Sequence, residues 1–252
     1  MKRFLALLLA LGLALAGRAE KVTVAAAANF VYCLDALKPA FARIAPGAEL
    51  VIITGASGNL VAQIKNGAPF DVFLSADVDY PQQLVKTGLA GQDAVTVFAT
   101  GRLVLWTRRE DVPLDSLAGA VRSPLVKKLA LANPATAPYG RAAREALQKL
   151  GAWTDAQPKL VVGENVSQTL QFVDTGNADA GFVALSLLLS PKLRGAGRYI
   201  EVPPGLYGSL AHGGVLTKRG AGNPDAHRFL DFLSSDAARK IFTDYGYRVP
   251  AK

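Results

Sequence analysis

The stretch Glu49-Leu50-Val51-Ile52-Ile53-Thr54-Gly55-Ala56-Ser57-Gly58-Asn59-Leu60-Val61-Ala62-Gln63-Ile64-Lys65 sets the pattern of the whole chain. Residues 49–54 read as a strand, since Leu50, Val51, Ile52 and Ile53 form an apolar run that is β-branched from Val51 to Thr54. Gly55-Ala56-Ser57-Gly58 is a break of small residues. From 58 to 65 the period becomes helical, with Leu60, Val61 and Ile64 on one face and Asn59, Gln63 and Lys65 towards water. A strand is followed by a short break and then an amphipathic helix.

The same alternation runs outward in both directions. Residues 22–26, 72–74, 95–106, 129–132, 160–162 and 180–183 read as further strands. Helices are expected at 35–44, 80–87, 140–150, 167–174, 224–233 and 236–245, and Gly88, Gly151 and Gly176 stand where C-terminal caps belong. The predicted fold is α/β, with mixed sheets carrying helices on both faces. Ligands of such sheets bind at the carboxyl ends of the strands. The run 95–106 is long for one strand and contains Gly101, where the chain can pass from one lobe to another. The turn-rich stretch 203–217 offers a way back. The expected division is a signal segment at 1–19, a first lobe at 20–98 plus 208–252, and a second lobe at 99–207.

Lys2-Arg3, the apolar run 5–16 and Gly17-Arg18-Ala19 have the order of a secretory signal peptide cleaved near Ala19, and the apolar run is too short to span a bilayer. Of 28 basic residues, Lys2, Arg3 and Arg18 would leave with it, so 25 face 20 acidic ones, a net charge of +5. That field favours the arrival of an anion. Nucleic acid is not expected, because the basic residues are scattered without interleaved aromatics. Cys33 is the single cysteine, so an exported chain of this kind relies on its core and not on an intrachain disulfide. Half the residues are hydrophobic and 19% charged, as in a globular protein.

Catalytic and metal chemistry find little support. Ser57 lies in a glycine-flanked run, yet Asn59 stands where a nucleophile elbow needs glycine. His212 and His227 are the only histidines. His227 reads as a surface residue of a tail helix, and His212 sits in a glycine-flanked strand or turn. Asp71, Asp77 and Asp79 lack the glycine and terminal glutamate of a calcium loop, one cysteine with two separated histidines makes no zinc site, and no phosphate-binding loop or dinucleotide fingerprint is present. Asn165-Val166-Ser167 matches a glycosylation sequon of low specificity.

What remains is four strand-to-helix junctions: Ala28-Asn29, Gly55-Ala56-Ser57-Gly58, Pro138-Tyr139-Gly140 and Asn165-Val166-Ser167. A helix N-terminus carries unpaired N–H groups and the positive end of the helix dipole, which suit an anion. Ordinary capping accounts for any one of them. Converging on one cleft, they would hold an oxyanion without Lys or Arg.

Around these junctions the chain resembles the molybdate-binding proteins of ABC importers. The resemblance rests on Ala25-Ala26-Ala27-Ala28-Asn29-Phe30, on Gly55 to Leu60 with Gln63-Ile64, and on Gly67-Ala68-Pro69-Phe70-Asp71-Val72-Phe73-Leu74-Ser75-Ala76-Asp77. It continues through Ala137-Pro138-Tyr139-Gly140, Gly163-Glu164-Asn165-Val166-Ser167-Gln168 and Gly181-Phe182-Val183-Ala184-Leu185-Ser186 to Tyr245-Gly246-Tyr247. It implies an exported, periplasmic, monomeric type II solute-binding protein whose two lobes close on one tetrahedral oxyanion. It implies molybdate or tungstate as ligand, no cofactor, no direct metal ligand, no membrane insertion and no enzymatic activity, with an importer permease as partner. Carried over position by position, the site falls on Ala28, Asn29, Ser57, Tyr139 and Val166. Ala28 and Val166 would offer backbone N–H groups only, and Asn29 and Ser57 side-chain donors as well. A tyrosine that contacts the ligand in some members aligns with Ala184, which has no hydroxyl, leaving Tyr139 as a candidate replacement. The alternatives are a receptor for another anion such as sulfate and, in a different class, an exported hydrolase using Ser57.

Overall fold

The computed structural model describes residues 21–91 and 95–251, so the expected signal segment lies outside the described residues. The opening stretch forms β2 (Glu49–Gly55) and α2 (Ser57–Lys65), preceded by β1 (Lys21–Ala27) and α1 (Val31–Ala42) and followed by β3 (Val72–Ser75) and α3 (Asp79–Lys86). β1 pairs in parallel with β2 on one side and β3 on the other. The apolar face of α2 buries Leu60, Val61 and Ile64 against Ala25 and Phe73 of the sheet. α1 begins earlier than its periodicity suggests, because a 3-10 turn at Ala28–Phe30 runs directly into it, and it carries Pro39 inside.

The long run 95–106 divides at its glycine. β4 (Thr96–Thr100) belongs to the first sheet, and β5 (Leu103–Thr107) to a second. The chain then builds α4 (Leu117–Arg122), β6 (Leu129–Ala132), α5 (Pro138–Lys149), α6 (Trp153–Ala156), β7 (Leu160–Gly163), α7 (Val166–Asp174), β8 (Ala180–Ala184), α8 (Leu185–Leu188) and β9 (Arg198–Glu201). It returns to the first sheet as β10 (Ala211–Leu216), and α9 (Pro224–Phe232) and α10 (Asp236–Asp244) follow.

The two sheets have the same plan. Their orders are β2-β1-β3-β10-β4 and β7-β6-β8-β5-β9. Each begins with three parallel strands, and the fourth strand, which has just arrived from the other sheet, runs antiparallel to both its neighbours. The carboxyl ends of the parallel strands are therefore the places where helices start. At the passage between the sheets Gly101 donates to Leu210 O at 2.9 Å, tying the outgoing and returning segments together. Tyr247 of the tail stacks on Phe30, centroids 5.6 Å apart, and Phe98 and Phe242 complete an aromatic cluster beneath the first junction. Trp106 is fully buried and satisfies its indole N–H on Ala196 O at 2.8 Å, as a buried indole must.

Candidate functional site

Each of the four junctions becomes a turn or helix start at a strand end. Ala28 and Asn29 open the 3-10 turn after β1, Ser57 is the first residue of α2 after Ala56, Tyr139 follows Pro138 at the start of α5, and Val166 begins α7. All five expected positions line one small, narrow cleft. Gly55, Ala76 and Ala137 complete the walls, and no acidic or basic side chain is among the lining residues. The field in the cleft comes from backbone N–H groups and helix ends, which have no intrahelical partners in the first turn.

The caps decide which donors stay available. Asn165 accepts from Ser167 N at 3.0 Å and Gln168 N at 3.1 Å, so the second and third N–H groups of α7 are satisfied by its side chain. Val166, the first residue, is left as the donor that faces the cleft. Pro138 occupies the first position of α5, where its missing N–H costs nothing. α2 has no side-chain cap. The Ser57 hydroxyl oxygen accepts the Ala76 N–H at 3.2 Å, which fixes the oxygen and leaves its hydrogen free to donate.

Asn29 is turned differently from the expectation that its side chain donates to a ligand. His212 is fully buried, and its Nδ1 is 2.7 Å from Leu210 O, an acceptor, so Nδ1 carries the proton and Nε2 accepts. Burial pushes the His212 pKa down to about 3, so the ring is neutral. Asn29 Nδ2 donates to that Nε2 at 2.8 Å and to Tyr247 Oη at 2.9 Å, which uses both amide hydrogens. Tyr247 Oη and Ser186 Oγ in turn each donate to the Asn29 carbonyl at 3.1 Å. The Asn29 side chain thus anchors the cleft floor through its amide hydrogens, and Tyr247 and Ser186 hold its backbone carbonyl; its Oδ1 has no partner among the described residues, and its backbone N–H is the donor left for the cleft.

Tyr139 resolves in a related way. Its ring is buried, its Oη has no hydrogen-bond partner among the described residues, and burial raises its pKa. A Cβ on Gly101 would lie 2.1 Å from that oxygen, which places the hydroxyl against the passage between the sheets. Gly101 is not a cleft-lining residue. Ala184 ends β8, fully buried, and is likewise absent from the lining. Ser186, two residues on, belongs to the stretch that carries the resemblance but is not among the expected site residues; its hydroxyl reaches the Asn29 backbone carbonyl across 157 positions.

The remaining candidates have structural roles. Asp71 accepts from Thr23 N at 2.7 Å, and Asp77 accepts from Asp79 N at 2.9 Å. His227 is exposed on α9 with Nε2 2.9 Å from Ala221 O. Among the described residues no group of His, Cys, Asp and Glu could hold a metal ion. Cys33 is buried and unpaired, and burial raises its pKa.

Two similar mixed sheets that bring helix starts to one small cleft without charged side chains define a two-lobed type II binding protein. The family model described as bacterial extracellular solute-binding protein matches residues 22–248, and the chain belongs to that family. It is 40% identical to the molybdate-binding protein ModA of Rhodobacter capsulatus over 242 residues, covering 96% of this chain and 94% of the relative. The corresponding protein of Azotobacter vinelandii is 38% identical over 244 residues, with 96% of each chain covered. The solved structure of an Azotobacter vinelandii periplasmic molybdate-binding protein superposes with a TM-score of 0.86 at 32% identity, covering 91% of this chain and all of that one.

Proposed function

We propose that this protein captures molybdate or tungstate in the cleft formed by Ala28, Asn29, Ser57, Tyr139 and Val166 and delivers it to the permease of an ABC importer. The observation that carries this reading is the convergence of four helix or turn starts on a cleft lined by no carboxylate and no cation. Molybdate and tungstate are fully ionised near neutral pH, so every oxygen accepts and none donates. A lining of N–H and O–H donors without a carboxylate suits them and disfavours hydrogenphosphate, whose proton is best met by a carboxylate. Sulfate shares the charge and shape and is smaller, so pocket size must separate it. The relatives named above, molybdate-binding at close to full length, support the larger anions.

The donors are Ser57 Oγ–H and the backbone N–H groups of Ala28, Asn29, Ser57, Tyr139 and Val166. Fixed dipoles of this kind stabilise a buried anion without reorganising when it arrives. The protein is exported, loses its first residues near Ala19 and works in the periplasm as a monomer. Its lobes follow the expected division, 20–98 with 208–252 and 99–207, except that β4 runs to Thr100 in the first sheet, so the outgoing passage falls at Gly101-Arg102 and the returning one at 202–210. On this reading it acts as a carrier and not as an enzyme, in keeping with its membership of the solute-binding family.

Calorimetric titration with molybdate, tungstate, sulfate and phosphate side by side tests the reading. The expected result is one tight site for molybdate and tungstate, with a rise in melting temperature because only the folded state binds. Binding of sulfate but not of molybdate or tungstate would overturn it.

A further inference from the structure

Outside the cleft, a second set of contacts joins the lobes at the rim. Gly58 N on α2 donates to Thr136 O, before α5, at 2.9 Å. Beside it Arg141 Nη2 of α5 bonds Asp77 Oδ2, at the end of β3. Tyr80 of α3 brings its hydroxyl to the same place, 3.0 Å from where a Gly58 Cβ would stand. Each bond runs from an element of the first sheet's lobe to an element of the second's. Such bonds exist only while the lobes are together.

We propose that Asp77 and Arg141 form a closing latch that sets the affinity and residence time of the anion, an inference that rests on the cleft being the anion site. Three features support it. First, Asp77 is held ready by its own lobe: its N–H bonds Ser75 Oγ at 3.1 Å, Ser75 Oγ donates back to Asp77 O at 2.7 Å, and its Oδ1 caps α3 through Asp79 N. It brings a pre-positioned carboxylate oxygen to the seam. Second, the Asp77 side chain is only 5% exposed while Arg141 is 36% exposed. A carboxylate that deep depends on its partner, and losing the partner leaves an uncompensated charge. Third, Arg141 stands two residues after Tyr139 on the helix whose first turn lines the cleft, so the pair is coupled to the segment that meets the anion.

The pair has a further consequence for a dianion. Asp77 directly follows Ala76, a wall of the cleft, and an unpaired carboxylate there would repel the ligand. Arg141 cancels that charge without entering the cleft. An anion-binding protein can thus keep an acidic residue beside its site because the opposite lobe supplies the cation on closure. With the lobes apart, Arg141 would keep only its helix neighbour Glu145, 3.7 Å away, and its attraction to Asp77 would be screened by water. A contact made only in the closed state stabilises the closed, anion-bound form over the open one, so it lowers the rate at which the anion escapes and raises the apparent affinity by the same factor.

The test measures molybdate binding and dissociation for the parent, Arg141→Gln, Asp77→Asn and the double variant, with small-angle scattering of the anion-free proteins. Arg141→Gln should bind roughly tenfold or more weakly, with nearly all the change in the dissociation rate, because the latch acts after encounter. Asp77→Asn should lose less, since it removes the repelling charge along with the bond. The double variant should be no weaker than Arg141→Gln alone, as expected for two ends of one interaction. Arg141→Lys, which keeps the charge without the fork, should fall between parent and Arg141→Gln. The anion-free single variants should show a larger radius of gyration than the parent. Parental dissociation rates together with a parental radius in both single variants would overturn the latch. If the parent itself binds no molybdate or tungstate, the functional reading fails instead, and the scattering comparison still decides whether the pair closes the lobes.

Discussion

Two of the places where the lobes meet have opposite chemistry, the floor of the cleft and its rim. The floor is a neutral, buried hydrogen-bond network: His212 to Asn29, Asn29 to Tyr247, and Tyr247 and Ser186 back to the Asn29 carbonyl. All four residues are at most 4% exposed. The rim is charged and partly wet, with one backbone hydrogen bond and one ion pair whose guanidinium reaches solvent. Neutral bonds in a dry place persist whatever the ligand does, because breaking them leaves polar groups unmet. The rim pair is wet on its guanidinium side, 36% exposed against 5% for Asp77, so opening the seam returns both groups to water and does not strand a buried charge. The floor is therefore suited to be the pivot, and the rim to open.

The largest effect should come from crowding the floor. A Cβ at position 101 would stand 2.1 Å from Tyr139 Oη and 2.6 Å from His212 Cε1, both inside a packed interior. Gly101→Ala should lower unfolding free energy by about 3 kcal/mol, in the range of overpacked cores. Combining it with Tyr139→Phe should recover part of the loss. The matching change at the rim is milder: a Cβ on Gly58 meets Thr136 O and Tyr80 Oη at 3.0 Å, and a seam that opens can yield by tenths of an ångström. Gly58→Ala should weaken anion binding while leaving the melting temperature of the anion-free protein nearly unchanged. Equal thermal losses for the two alanines, measured by denaturant unfolding and scanning calorimetry, would erase the distinction between pivot and rim.

Next in size is a pH dependence that belongs to the floor. The folded pKa of His212 is about 3, below the ordinary value of 6.5, because burial disfavours the cation. As pH falls below 6.5 the unfolded chain takes up a proton that the folded chain refuses. The stability from this group is complete above about pH 6.5 and is lost progressively towards pH 3. At about 1.4 kcal/mol per pH unit, the loss reaches about 3 kcal/mol by pH 4. Unfolding free energies from pH 7 to 4 should fall more steeply for the parent than for His212→Gln. Parallel curves would show that His212 is not held neutral in the interior.

Between these and the smallest effect lies the one side-chain donor of the cleft. Ser57→Ala removes a hydroxyl that faces a dianion, worth roughly 1.5–3 kcal/mol, or about ten- to a hundredfold in affinity. Val166→Ala keeps its N–H and should change affinity little. Asn29→Ala should act on the floor instead, lowering the melting temperature by more than Ser57→Ala does, because His212 and Tyr247 lose their partner. Titration and thermal unfolding of the three variants separate donors to the ligand from supports of the pivot. Parental molybdate affinity in a folded Ser57→Ala variant would remove that hydroxyl from the site.

How far the sequence carried depended on how local each cause was. The strand, break and helix of residues 49–65 are readable because apolar period, small residues and polar face are all written within a few positions. The cleft positions followed from the same junctions. β9 was missed because its four residues alternate between partly buried and exposed after a glycine turn and carry no apolar run. The orientation of Asn29 could not be read, since it depends on His212, 183 positions away, and on Tyr247, 218 away. The Asp77–Arg141 pair spans 64 positions and two lobes, and either residue alone looks like an ordinary surface charge.

The smallest expected effect bears on the residue that joins floor to cleft. Tyr139 contributes to the cleft from the first turn of α5, while its hydroxyl reaches away to Gly101 and finds no partner among the described residues. If the hydroxyl were a ligand contact in place of the one missing at Ala184, Tyr139→Phe would weaken molybdate binding at least tenfold, as loss of a donor to a dianion does. Its position at the passage argues otherwise. A buried polar atom without a partner costs about 1–3 kcal/mol, and its removal with the ring left in place relieves some of that cost. Tyr139→Phe should therefore bind molybdate within about twofold of the parent and melt at the same temperature or slightly higher. A tenfold loss of affinity with unchanged melting would mean that the hydroxyl turns into the cleft when the anion arrives. The floor would then belong to the binding site and not only to the pivot beneath it.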